Sequence, residues 1–143
     1  NTSASGSLAL LALSRGHEVG IDVEAIHDLP DGIAQRAMTA VERAAFESLP
    51  EVHRTARFTA LWVAKEAAAK CLGRGLGQPF DRIELASPAA DVPQCIRVSR
   101  DGESVVLWLM PIPAPRAGHA AALAATVQVG ELRLWSLLES PGG

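Results

Sequence analysis

From Glu51 to about Leu72 this chain runs without a proline or glycine, with Pro50 immediately before and Gly73 immediately after. Proline suits a helix start, where its missing N–H has no intrahelical partner. Glycine suits the left-handed residue that ends a helix, so the spacing predicts one long helix between them. Such a helix is roughly 30 Å long. Trp62, Glu66 and Lys70 recur every fourth residue and share one stripe, with Lys65 off to its side. Ala64, Ala67, Ala68 and Ala69 surround these charges, which suits a helix packed closely by its neighbours. As a plain surface pair Glu66 and Lys70 would contribute only about 0.3 kcal/mol. That description leaves the concentration of charge among alanines unexplained.

About forty residues upstream stands G-I-D-V-E, Gly20 to Glu24. Apolar runs on either side of Ser14, Arg15, Gly16 and His17 predict a β-hairpin centred on that turn. In an extended 19–24 segment Gly20, Asp22 and Glu24 share one face, while Val19, Ile21 and Val23 share the other. Two carboxylates projecting together repel unless a cation or solvent intervenes, and Mg²⁺ prefers a few carboxylate oxygens with positions left for water and phosphate. D-x-E is common on strands, so by itself this stretch reads first as an exposed strand end with two solvated acids and only second as a cation site. With the helix added, three carboxylates and two lysines supply what a magnesium-bound pyrophosphate needs.

The remaining elements alternate. Residues 29–32 read as a loop and Ile33 to Met38 as a short helical turn, and Thr39 with Glu42 forms a capping box opening a helix through about Ser48. Phe80 to Leu85 and Cys95 to Arg100 alternate like strands, and Asp101-Gly102 predicts a tight turn into a strand at Ser104 to Met110. Pro111, Pro113 and Pro115 predict a surface loop, with final strands at His119 to Val127 and Leu132 to Leu137, although the alanines in the first leave a helix open. The result is an α+β class: a mainly antiparallel sheet with a long helix and a shorter one packed on one face.

The chain has 143 residues, 48% hydrophobic and 20% charged, which is enough for a single domain over residues 1–143 with a sizeable core. Cys71 and Cys95 are too few for a disulfide framework or zinc site, and both read as core thiols in a reducing, cytoplasmic compartment. The apolar run Leu8 to Leu13 is too short to span a bilayer and no basic segment precedes it, so no membrane association is expected. A net charge of −3 argues against a nucleic-acid partner.

G-I-D-V-E, then W-V-A-K-E-A at Trp62 to Ala67, Lys70, and G-R-G-L-G-Q-P-F at Gly73 to Phe80 together resemble the 4′-phosphopantetheinyl transferases, particularly the surfactin-synthetase-activating type. The likeness spans about half of the chain, and N-T-S-A-S-G at the start resembles the family's N-x-S-H-S-G. The resemblance implies the family's fold and a Mg²⁺-dependent reaction. A serine of an apo acyl or peptidyl carrier protein attacks the β-phosphate of coenzyme A, accepts phosphopantetheine and releases adenosine 3′,5′-bisphosphate. It also implies site residues. Asp22, Glu24 and Glu66 would be metal ligands, with Glu24 direct or through water, and Glu66 also the general base. Lys70 would neutralise the leaving phosphate, Lys65, Ser3 and Arg74 would be further coenzyme A contacts, and Trp62 would pack the helix on the Asp22 strand.

Two departures carry expectations. Ala4 stands where the family has a histidine that helps hold the diphosphate, a loss of about 1.5–3 kcal/mol of binding if nothing replaces a charge-assisted bond. Members of this type have two similar halves with the site between them, and the motifs here belong to the second. The chain therefore reads as a domain excised from something longer, and a homo-oligomer, a trimer by analogy with the shorter holo-acyl-carrier-protein synthases, would supply the other wall.

Ala4 and the missing half also suit a catalytically impaired docking module of a larger synthase, though the retained acids and lysines speak against it, and a Mg²⁺-dependent domain for another diphosphate is a third reading. His17, His27, His53 and His119 show no ligand spacing. Arg36, Arg43, Arg54 and Arg57 read first as solvated helix arginines and second as a steering surface for an acidic carrier protein.

Overall fold

The computed structural model describes residues 1–27, 32–73, 79–87 and 89–136. The chain opens with a small hairpin: β1 (Thr2–Ser5) and β2 (Leu8–Leu11) pair antiparallel across Gly6 and Ser7, with Gly6 in the left-handed region at φ +59°. This corrects the expected hairpin about residues 14–17. A two-residue turn with glycine at positive φ captures Leu8–Leu11 locally for β1, and the next strand, β3 (Val19–Ala25), finds its ladder partner a hundred residues away.

That ladder belongs to a four-stranded antiparallel sheet of order β3-β6-β5-β4, completed by β4 (Gln94–Arg100), β5 (Glu103–Ile112) and β6 (His119–Ala125). The Asp101-Gly102 turn is as expected, both residues having positive φ (+55° and +87°) between the paired Arg100 and Glu103. Pro111 does not end β5 but pairs with Ala122. The β4 ladder stops at Leu109, so β5 beyond it has lost that neighbour and a missing N–H there breaks no bond.

Two expected strands do not form. Residues 80–85 begin with a 3₁₀ turn, Phe80–Arg82. Ile83 and Leu85 do alternate inward, yet the Leu85 N–H donates to the Glu42 carboxylate at 3.0 Å instead of joining a sheet. Residues 131–136 contain no strand, and Leu132, Leu134 and Trp135 are exposed; Leu137 lies outside the described residues.

Three helices follow β3: α1 (Ile33–Ala37), α2 (Ala40–Glu47) and α3 (Glu51–Cys71). The capping box of α2 is complete, the Glu42 N–H donating to Thr39 Oγ1 at 3.2 Å and the Thr39 N–H to Glu42 Oε2 at 2.8 Å. Gly73, φ +74°, follows the end of α3. The expected loop at 29–32 falls outside the described residues except for Gly32.

The helix α3 lies across β3 and β6, and the main core fills that contact with Ala64, Ala67 and Ala68 against Ala122 and Ala124. Because β6 alternates, its Ala121 and Leu123 face the other way, into a second core with Ile21, Val23 and Ile112 beneath the hairpin. A central strand buried on both faces explains the run of alanines. The shorter helix packs on α3, Phe46 meeting Phe58 edge-on at 6.4 Å.

Candidate active site

The site begins at a close crossing. Gly20 points at α3, and a β-carbon there would lie 2.0 Å from the Ala67 carbonyl oxygen and 2.5 Å from the Cys71 nitrogen. Only a hydrogen fits. Strand alternation puts Asp22 on the same helix-facing side one step along, where it is 3% exposed. One turn apart on α3, Glu66 and Lys70 meet it: Lys70 Nζ donates to Asp22 Oδ1 at 2.7 Å and to the Ile21 carbonyl at 3.3 Å.

Ser3 Oγ donates to the same Asp22 Oδ1 at 2.7 Å. The second oxygen, Oδ2, is buried and has no hydrogen-bond partner among the described residues. An unpaired buried carboxylate oxygen is costly and marks a place built for a positive charge or a donor. Glu66 is 7% exposed, and its carboxyl is pushed above the ordinary range by burial first and then by Asp22 and Glu24, with Lys70 opposing. Three carboxylates thus share one electrostatic neighbourhood, with the Lys70 ammonium beside them.

The opening segment flanks the site as an edge cover. Among the described residues the outer edge of β3 meets no backbone ladder; Ile21, Val23 and Ala25 instead donate N–H bonds to Asn1 Oδ1 (3.1 Å), Ser3 Oγ (3.3 Å) and Ser5 Oγ (3.0 Å). Ser5 Oγ in turn donates to Glu24 Oε2 at 3.0 Å. Ala4 lies on the opposite, exposed face of β1.

Lys65 does not join this group. It is 0% exposed, and its Nζ donates to the Ala37 and Phe80 carbonyls, both at 2.8 Å, and to the Glu42 carboxylate. Burial pulls its pKa down and Glu42 pulls it up. With all three donors spent away from solvent, Lys65 cannot reach a phosphate, which corrects the expected coenzyme A contact. It ties α3 to the end of α1, the start of α2 and the Phe80 turn. Glu42 is the residue the sequence reading missed. The capping box was a visible signal for its helix role, but nothing local showed that the same carboxylate would also bind Lys65 and Leu85.

Trp62 does not pack the helix on the Asp22 strand as expected; it stacks on Phe58 of the same helix at 6.0 Å and meets Phe80 edge-on at 5.0 Å, because the aromatic side chains of α3 and the Phe80 turn are nearer apolar partners than β3. It also lines a cleft of about 200 Å³ with Glu24, His27, Ile33, Phe58 and Thr59. His27 is thus a neighbour of the site that ligand spacing gave no reason to single out. Arg74 lies outside the described residues.

The donor set suits a hard divalent cation: oxygen ligands only, one of them buried and bare, and like charges that a cation would relieve. Among the described residues no group of three or more His, Cys, Asp or Glu side chains is closed around a common point. The fit therefore rests on Asp22 and Glu66, with Glu24 alongside and held at one oxygen by Ser5.

The family model of the 4′-phosphopantetheinyl transferase superfamily matches residues 18–124, and the chain belongs to that superfamily. A Synechocystis protein provisionally named as a 4′-phosphopantetheinyl transferase is 33% identical over 85 residues, 58% of this chain and 35% of its own. A holo-[acyl-carrier-protein] synthase of Streptococcus pyogenes is 29% identical over 96 residues, 64% of this chain and 81% of its own. The chain thus spans about a third of the first relative's length and most of the second's. Among solved structures, the holo-(acyl-carrier-protein) synthase of Bacillus anthracis in complex with CoA (3′,5′-ADP) superposes with a TM-score of 0.56 at 21% identity, over 76% of this chain and 93% of that one. The Thermotoga maritima holo-[acyl-carrier-protein] synthase gives 0.51 at 22% identity, over 76% and 61%. The α+β fold is that of these synthases.

Proposed function

We propose that this chain transfers 4′-phosphopantetheine from coenzyme A to a serine of an apo acyl or peptidyl carrier protein, with Mg²⁺ as cofactor and adenosine 3′,5′-bisphosphate as the other product. The observation that carries the reading is the bare, buried Asp22 Oδ2 beside Glu66 and Lys70. Superfamily membership and the synthase-like fold support it.

Mg²⁺, held by Asp22 and Glu66 with Glu24 as a further direct or water-borne ligand, would neutralise diphosphate charge during transfer. The chain's own groups handle the proton and the orientation. Glu66, through the carboxylate oxygen that the cation leaves free and directly or by way of a water, takes the serine proton as the new phosphoester bond forms and the anhydride bond breaks. Lys70 spends two N–H bonds on Asp22 and Ile21 and is partly exposed, which leaves a third for the leaving phosphate.

We also propose a homo-oligomer, a trimer by preference. Leu11, Leu13, Leu134 and Trp135 are 62%, 84%, 59% and 84% exposed. The first three line a cavity of about 400 Å³ beside β2 that a second copy would cover. A reducing, cytoplasmic setting suits the two free thiols; Cys71 is buried as expected, whereas Cys95, expected in the core, is exposed because the alternation of β4 turns it outward. No helix among the described residues is long and apolar enough to cross a membrane.

The test is intact mass spectrometry of apo carrier proteins incubated with this chain, coenzyme A and Mg²⁺, beside Asp22→Ala. Addition of one phosphopantetheinyl group, lost in the variant, is expected. Coenzyme A binding without transfer would replace this reading with an incomplete or docking module. For the oligomer, light scattering during size exclusion decides: a fully active monomer removes the trimer.

A further inference from the structure

Each serine hydroxyl carries one proton, and in Ser3 and Ser5 that proton is already committed. Ser3 Oγ accepts from the Val23 N–H at 3.3 Å and donates to Asp22 Oδ1 at 2.7 Å. Ser5 Oγ accepts from the Ala25 N–H and donates to Glu24 Oε2, both at 3.0 Å. An ionised phosphate oxygen only accepts, so neither hydroxyl can bind one without releasing its carboxylate. We propose that Ser3 and Ser5 are positioning residues whose hydroxyls set the Asp22 and Glu24 carboxylates for a divalent cation and do not donate to coenzyme A. The proposal rests on the transferase reading for its reaction but not for its geometry.

The two-residue period explains how one short strand does this twice. Asn1, Ser3 and Ser5 project toward β3 and meet Ile21, Val23 and Ala25, so the same contacts that cover the sheet edge deliver a hydroxyl beside each acid. At Asp22 the consequence is specific. Ser3 and Lys70 both donate to Oδ1, which turns the carboxylate so that Oδ2 is left bare. Lys70 alone, on a flexible stem, can follow either oxygen; the short Ser3 side chain, pinned by the Val23 N–H, cannot. Ala4, on the exposed face of β1, takes no part in this arrangement.

The experiment compares wild type, Ser3→Ala and Ser3→Thr in thermal melting, Mn²⁺ binding by electron paramagnetic resonance without coenzyme A, and steady-state kinetics. Ser3→Ala is expected to weaken Mn²⁺ binding and lower kcat, each about tenfold, as loss of a group orienting a metal ligand does. KM for coenzyme A should stay within about twofold, because no bond to that substrate is lost. Ser3→Thr keeps the hydroxyl and should restore both quantities. An increase in coenzyme A KM with kcat and Mn²⁺ affinity unchanged would make Ser3 a substrate contact and overturn the proposal. So would a natively melting Ser3→Thr that restores nothing, or a wild type that binds no Mn²⁺. If wild type binds Mn²⁺ but transfers nothing, the transferase reading fails alone; the Mn²⁺ comparison then decides this proposal, equal affinities overturning it.

Discussion

The Ala67 carbonyl oxygen occupies the space a side chain on Gly20 would need, 2.0 Å from where the β-carbon would stand. That approach sets the distance between the strand carrying Asp22 and the helix carrying Glu66 and Lys70. Gly20→Ala must push two backbones apart. We expect a loss of about 3 kcal/mol or more in denaturant unfolding, together with loss of transfer, since overpacking against backbone has no flexible neighbour to yield. An alanine variant of native stability and activity would show that the crossing is looser than described.

Asp22→Asn keeps the shape of the side chain but removes the charge that pairs with Lys70 and would hold the cation. Transfer should fall by about 100-fold, and raising Mg²⁺ should not recover it. A Mg²⁺ titration of initial rates for both proteins checks this, and full recovery at high Mg²⁺ would limit Asp22 to an affinity role.

The raised pKa of Glu66 has a sign that can be worked out. Its ordinary value is 4.5, and burial, Asp22 and Glu24 move it upward in the folded protein. Between the two values the folded state keeps a proton that the unfolded chain releases, so without divalent cations stability is greatest on the acidic side and falls as pH rises through the folded value. Melting in EDTA should show this component of the slope in wild type and lack it in Glu66→Gln. Identical slopes would remove Glu66 as its source.

The Lys65–Glu42 pair should behave as a buried ion pair. Lys65→Met leaves the Glu42 carboxylate buried without its counter-charge, at a cost of roughly 3–5 kcal/mol. Adding Glu42→Gln should return part of that loss, so the double-mutant cycle should give a large coupling energy. Any coenzyme A KM effect in folded Lys65→Met should be small. A tenfold rise in KM without a stability change would return Lys65 to the role of phosphate contact.

The elements legible in the sequence were those with local causes. Pro50 and Gly73 bracket α3, Thr39 and Glu42 open α2, and Asp101-Gly102 turns β4 into β5, each within a few residues. The 8–13 run was misassigned because its apolar pattern fits either neighbour, and the glycine turn at Gly6 decided for β1. Ile83 and Leu85 alternate like a strand, but no strand was available to pair with them, and Leu85 bonded to Glu42 instead. Of the site, spacing correctly put Gly20, Asp22 and Glu24 on one face and Glu66 and Lys70 on one stripe. It did not show that Lys65, one residue from Glu66, turns into the core.

By itself, then, the sequence determined where the helices and the Asp101-Gly102 turn form, and that Gly20, Asp22 and Glu24 share one face and Glu66 and Lys70 one stripe, because backbone sterics and side-chain periodicity act over a few residues. Tertiary structure alone decided that β3 pairs with β6, that Ala67 closes over Gly20, that Ser3 reaches Asp22 and that Lys65 ends on Glu42. Those outcomes depend on segments distant in the chain meeting in space, and on the burial that makes each polar group seek the partner within its reach.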